Sequence, residues 1–127
     1  MPGKWVLVVE DDPDQVRILQ IFLRAAGYQV EAVGSGLAAL RRVAEQPPHL
    51  VILDLRLPDL TGYDVCKRLR KLCQPWDLPI LILTAMDRPA DQLRGFAHGA
   101  DAYLTKPYEC EELLKTVTLL LGEAVPA

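Results

Sequence analysis

The sequence predicts an α/β protein built on a doubly wound, five-stranded parallel sheet. Short apolar runs recur along the chain, amphipathic segments with helix-cap signals separate them, and the runs are nearly continuous rather than alternating. A strand that is hydrophobic on both faces is covered on both faces, as in a parallel sheet between two layers of helices.

The elements follow in order. "WVLVV" (5–9), "VEAV" (30–33), "LVIL" (50–53), "LPILIL" (78–83) and "AYL" (102–104) are short, bounded and rich in β-branched residues, so they read as strands. Asp12 opens the first helix as N-cap, with Pro13 at N1 and Gln15 at N3 in a capping-box pattern. Val16, Leu19, Leu23 and Ala26 form its inner stripe, and Gly27 fits its C-terminal stop. Ser35 opens the second helix, which runs to about Glu45. Thr61 opens the third, with Asp64 at N3 and Val65, Leu69 and Leu72 facing inward. The fourth runs from Pro89 to His98 and stops at Gly99, and an internal glycine, Gly95, weakens its helical signal. The fifth starts near Glu109, carries Glu111 and Glu112 where the helix dipole favours acids, and fades after Leu121. One domain is expected over residues 1–122, with 123–127 as a tail or linker stub.

Composition narrows the function classes. With 127 residues, 50% hydrophobic and 24% charged, the chain is long enough to bury a core of its own. A net charge of −3 argues against a nucleic-acid surface, which needs a basic stripe. No apolar stretch approaches the roughly 20 residues of a membrane span, and "MPGKW" lacks the apolar region of a signal peptide, so a cytoplasmic location is expected. Cys66 and Cys73 lie on one helix at a separation of about 10 Å from the helical rise, beyond the roughly 7 Å reach of a disulfide. Neither His49 nor His98 stands at metal-ligand spacing from them, so Cys66, Cys73 and Cys110 read as packing residues.

In an open parallel sheet, ligands bind outside the carboxyl ends of the strands. Here the first strand ends in Glu10-Asp11-Asp12, the third in Asp54 and the fourth in Thr84, and the fifth is followed by Thr105-Lys106-Pro107. Singly, each has an ordinary reading: Asp11 or Asp12 as a helix cap, Asp54 as a turn former, Thr84 as a strand-end hydroxyl, Lys106 as a solvated charge. Together on one rim they point to a site. Clustered carboxylates repel and call for a cation; Mg2+ suits them because it takes oxygen ligands, keeps several waters and needs only one or two carboxylates. Beside Mg2+ and Lys106, Asp54 stays ionised and can attack an electrophilic phosphorus, with Thr84 and Lys106 as donors to its oxygens.

The chain resembles the receiver domain of two-component response regulators over essentially its whole length. "LVVEDDPD" (7–14), "ILDLRLPDLTG" (52–62), "ILTA" (82–85) and "GADAYLTKPY" (99–108) carry the resemblance, in order and suitably spaced. It implies a flavodoxin-like (βα)5 fold with strand order 2-1-3-4-5, and Asp54 as phosphoacceptor. It also implies a Mg2+ ion held by Asp11, Asp54 and the backbone carbonyl of Arg56, with Glu10 acting through water. By the same resemblance Thr84, Ala85 and Lys106 bind the phosphoryl group, the Lys106–Pro107 bond is cis, and Thr84 and Tyr103 form the switch. The implied partners are a sensor histidine kinase or phosphotransfer protein and a downstream effector, with no direct nucleic-acid or membrane contact. Such a protein is a switch rather than an enzyme, though it catalyses its own phosphotransfer and dephosphorylation. The natural readout is the face made by the fourth helix, fifth strand and fifth helix.

The switch is energetically adequate. A phosphoryl group adds about 1–3 charge-assisted hydrogen bonds, each worth roughly 1.5–3 kcal/mol, against about 5.5 kcal/mol for moving an equilibrium from 1:99 to 99:1. Receivers that pair through the readout face before binding DNA carry charges there, whereas Gln92, Ala97, Ala102, Thr116 and Thr118 are uncharged, so distance from that subfamily is expected. With no output domain after Leu121, a stand-alone receiver, or one cut from a longer regulator or hybrid kinase, is expected. A phosphatase of the haloacid-dehalogenase type needs a second acid two residues after its nucleophile, where this chain has Arg56. A pseudo-receiver usually lacks one of the acids, the Thr or the Lys, and all are present here.

Overall fold

Five strands and five helices alternate along the chain: β1 (Trp5–Val9), α1 (Pro13–Ala25), β2 (Gln29–Val33), α2 (Gly36–Glu45), β3 (Leu50–Leu53), α3 (Gly62–Leu72), β4 (Ile80–Thr84), α4 (Pro89–Ala97), β5 (Ala102–Thr105) and α5 (Cys110–Leu120). The structure is a computed structural model and describes residues 3–74 and 77–123. Apart from Glu123, the tail expected at 123–127 lies outside the described residues.

The strands pair in parallel in the order β2-β1-β3-β4-β5. Side chains alternate across the sheet and meet a helical layer on either side. Leu7, Val9, Val51, Leu53, Ile80 and Ile82 pack with Ala39, Val43, Val65, Cys66 and Leu69, so α2 and α3 cover one face. Val6, Val8, Leu50, Ile52, Leu81 and Leu83 pack with Leu19, Leu23, Leu113 and Val117, so α1 and α5 cover the other. This two-sided burial is why the strands read as continuous apolar runs. The chain leaves β1 toward β2 on one side and β3 on the other, so a crevice opens at their carboxyl ends.

Several local expectations are corrected. The fourth strand is Ile80–Thr84, not 78–83; Leu78 is buried just before it. The capping box of α1 does not close through Gln15. Asp12 accepts from the Asp14 amide at 2.9 Å, and its own N–H donates to the buried Glu10 carboxylate at 3.3 Å. Ala26 is exposed as the C-cap of α1, and Leu72 is 56% exposed as the last residue of α3, whose buried stripe is Val65, Cys66 and Leu69. Thr118 is buried, with its hydroxyl donating to the Leu114 carbonyl at 2.6 Å, so it is not part of an exposed face.

Candidate functional site

The site lies at the carboxyl ends of β1, β3 and β4. The Asp54 amide donates to Val9 O, extending the β1–β3 ladder one residue past the strands and setting the Asp54 side chain on the rim. Its Oδ1 accepts from the Arg56 amide at 3.2 Å, and its Oδ2 from Lys106 Nζ at 3.1 Å. Lys106 Nζ also donates to Glu10 Oε1 at 2.5 Å. One ammonium thus bridges two buried carboxylates that lie 96 and 52 residues away in sequence. Burial pushes the Glu10 carboxyl up, the Lys106 hydrogen bond opposes it, and the charge of Asp54 adds to the rise. Burial alone would lower Lys106, but its bonds to Glu10 and Asp54 and their charges outweigh this and push it up, so it stays an ammonium.

The remaining rim residues are placed around this triad. Asp11 is exposed, and among the described residues its carboxylate has no hydrogen-bond partner. The Arg56 side chain is exposed as well, while its backbone sits against Asp54. Thr84 is fully buried; its Oγ1 accepts from the Met86 amide at 3.4 Å and its carbonyl accepts from the Lys106 amide at 2.8 Å. Ala85 is exposed beside it. The Lys106–Pro107 peptide is cis. Tyr103 lies farther along the same edge, its hydroxyl donating to the Met86 carbonyl at 2.6 Å. Burial pushes its phenol up to about 12, so it remains a donor at neutral pH.

The carboxylates of Glu10 and Asp54 meet here on Lys106, and carboxylate oxygens suit a hard cation. Among the described residues no three His, Cys, Asp or Glu side chains are grouped closely enough to hold a metal unaided. The thiols lie elsewhere; burial pushes Cys66 up to about 11, so it is inert as a nucleophile.

Three contributors escaped sequence reasoning. Gly62 opens α3 so close to the loop that a Cβ there would lie 2.4 Å from the Asp54 carbonyl oxygen. Asp59 accepts from the amides of Gly36 and Leu37 at 2.8 and 2.9 Å, tying the Asp54 loop to the start of α2. Met86 contributes only backbone atoms, which no side-chain pattern reports.

A family model of the response regulator receiver domain matches residues 6–118. The chain belongs to this family. Receiver domains of response regulators are signalling switches, and the order β2-β1-β3-β4-β5 is that of the flavodoxin-like receiver fold. The chain is 40% identical over 116 residues to RpaA, a DNA-binding dual master transcriptional regulator of Synechocystis sp., covering 91% of this chain and 48% of that protein. It is 44% identical over 110 residues to the transcriptional regulatory protein KdpE of Mycobacterium tuberculosis, covering 86% and 47%. The chain thus spans about half the length of the curated relatives it matches. Among solved structures, the receiver domain of the sensor histidine kinase PA1611 from Pseudomonas aeruginosa PAO1, with a magnesium ion coordinated in its active site cleft, is 31% identical. It superposes with a TM-score of 0.87, over 95% of this chain and 99% of that one. These relatives include a DNA-binding regulator.

Proposed function

We propose that this receiver takes a phosphoryl group onto Asp54 from the phosphohistidine of a sensor histidine kinase or phosphotransfer protein. An Asp54 oxygen attacks phosphorus, the O–P bond forms, and the P–N bond to the donor imidazole breaks with its electron pair leaving on nitrogen. The carrying observation is the Asp54 carboxylate itself. It stands at the end of β3 with one oxygen on a backbone amide and the other on an ammonium, at the crevice where this fold binds ligands. Lys106 neutralises the pair of acids in the resting site and is in reach of phosphoryl oxygens on Asp54. The Thr84 hydroxyl, with the Ala85 amide, is the second donor set on that side.

The residues present fit Mg2+, which Asp11, Asp54 and the Arg56 carbonyl would hold, with Glu10 through water; when bound, it offsets charge on the phosphoryl oxygens. The chain then acts as a self-phosphorylating and slowly self-dephosphorylating cytoplasmic switch. Thr84 moves toward the phosphoryl group, and the face of α4, β5 and α5 carries the change, through Tyr103, to an effector. The net charge of −3 supports a receiver that signals through its effector and not through direct nucleic-acid contact.

Acetyl phosphate with Mg2+ should add one phosphoryl mass to the wild-type protein and none to Asp54→Asn. Labelling of Asp54→Asn at the wild-type rate would overturn the assignment.

A further inference from the structure

Gly95 sits in the interior of α4, where a glycine weakens the helix relative to alanine. Its backbone needs no glycine: among the described residues only Gly27, Gly99 and Gly122 have positive φ. The reason is space. A Cβ at position 95 would lie 2.9 Å from Ile82 Cδ1, 3.2 Å from Tyr103 Cδ2 and 3.3 Å from Tyr103 Cε2. The Tyr103 ring therefore lies flush against the bare backbone of α4, with its hydroxyl on the Met86 carbonyl and Phe96 beside it at 6.5 Å between ring centroids.

We infer that Gly95 is the positioning residue for the Tyr103 switch: the missing side chain makes the slot that the ring occupies in its inward state. The residue at position 95 thereby sets how often Tyr103 is inward before any phosphoryl group arrives. A side chain there competes with the ring for one volume. A methyl group forces Ile82 and the ring to give way by a few tenths of an ångström. A leucine fills the slot and leaves the ring outside, and because it replaces one apolar occupant with another the fold is retained. This inference rests on the switch role proposed for Tyr103, but its test does not require phosphorylation.

The test is fluorine NMR of the full chain labelled with 3-fluorotyrosine, in which Tyr103→Phe assigns the Tyr103 signal among the four tyrosines. Without phosphodonor, Gly95→Ala should shift the Tyr103 signal toward the solvent-exposed position, and Gly95→Leu should move it there fully. Acetyl phosphate should still label Asp54 in both. Thermal melts of Gly95→Leu in wild-type and Tyr103→Ala backgrounds give the coupling. The substitution should lower the midpoint less where the ring is already gone, which a purely local disruption of α4 would not produce. An unchanged Tyr103 signal in Gly95→Ala and Gly95→Leu overturns the inference, as does a midpoint loss equal in both backgrounds. If Gly95→Leu fails to fold in both backgrounds, the inference is overturned in its leucine form, and Gly95→Ala decides whether the slot exists at all. If wild-type Asp54 is not labelled, the phosphoacceptor reading fails, while the Tyr103 signals of the unphosphorylated proteins still decide this one.

Discussion

Lys106→Ala removes the ammonium that holds Glu10 Oε1 at 2.5 Å and Asp54 Oδ2 at 3.1 Å. The Glu10 side chain is only 4% exposed and that of Asp54 11%, so water replaces the lost ammonium only in part. At an effective dielectric of about 20, a pair of unit charges 3.1 Å apart attracts by about 5 kcal/mol, offset in part by the desolvation of the ammonium. Removing one partner of such a buried pair costs about 3–5 kcal/mol. For a domain of this size, 1 kcal/mol moves the melting midpoint by about 3–5 °C, so a fall of about 10–20 °C is expected in metal-free buffer. The loss should depend on pH. Burial and the Asp54 charge already raise Glu10, and losing Lys106 raises it further. A carboxyl raised in the folded state supports stability fully below its unfolded pKa and loses that support as the pH rises through the folded value. The gap to wild type should therefore be widest at mildly alkaline pH, above the folded Glu10 value and below that of Lys106, whose ammonium wild type itself loses in stronger base. Several millimolar Mg2+ should narrow it by supplying positive charge to the same acids. Thermal melts at several pH values, with and without Mg2+, measure all of this. A midpoint within about 2 °C of wild type at mildly alkaline pH, where Lys106 is still an ammonium, without metal would refute the electrostatic account of the triad.

Other outcomes follow from the same geometry. Asp11→Asn should abolish the Mg2+-induced rise in melting midpoint seen in wild type, checked by titration in a thermal-shift assay; an undiminished rise would remove Asp11 from the metal set. Gly62→Ala would place a Cβ 2.4 Å from the Asp54 carbonyl oxygen and 2.6 Å from Leu55 Cα, both backbone atoms that cannot step aside. It should cost about 1–3 kcal/mol or more and slow the labelling of Asp54, read by denaturant melts and intact mass. The amides of Leu37 and Gly36 hold the Asp59 carboxyl below the usual carboxylate range. Its contribution is then present above the unfolded pKa and lost as the pH falls through the folded one. Asp59→Asn should accordingly lower the midpoint at neutral pH and converge with wild type in acid, and a constant difference down to acid pH would sink the tether.

Local pattern and strand chirality carry the sheet and its rim. Continuous apolar runs such as Leu50–Leu53 required cover on both faces, and parallel strands with right-handed crossovers put every strand's carboxyl end on one rim. Glu10, Asp11, Asp54 and Thr84 could therefore be placed on a common edge from their positions after strands alone. Cap chemistry is equally local, and Ser35 and Thr61 bond the amides three residues on. Which of these groups touch depends on elements far apart in sequence. Lys106 reaches Glu10 and Asp54 across 96 and 52 residues, and Asp59 finds α2 across 23. Helical period says which face a residue is on but not whether a neighbour covers it, so Leu72 is exposed while Thr118 is buried. Glycines show the same divide. Gly27 marks a left-handed helix stop that sequence reads directly, because its backbone angle is a local property. Gly95 looks like a flaw in a helix until the Tyr103 ring is seen against it, because the space it leaves is defined by a residue on another element.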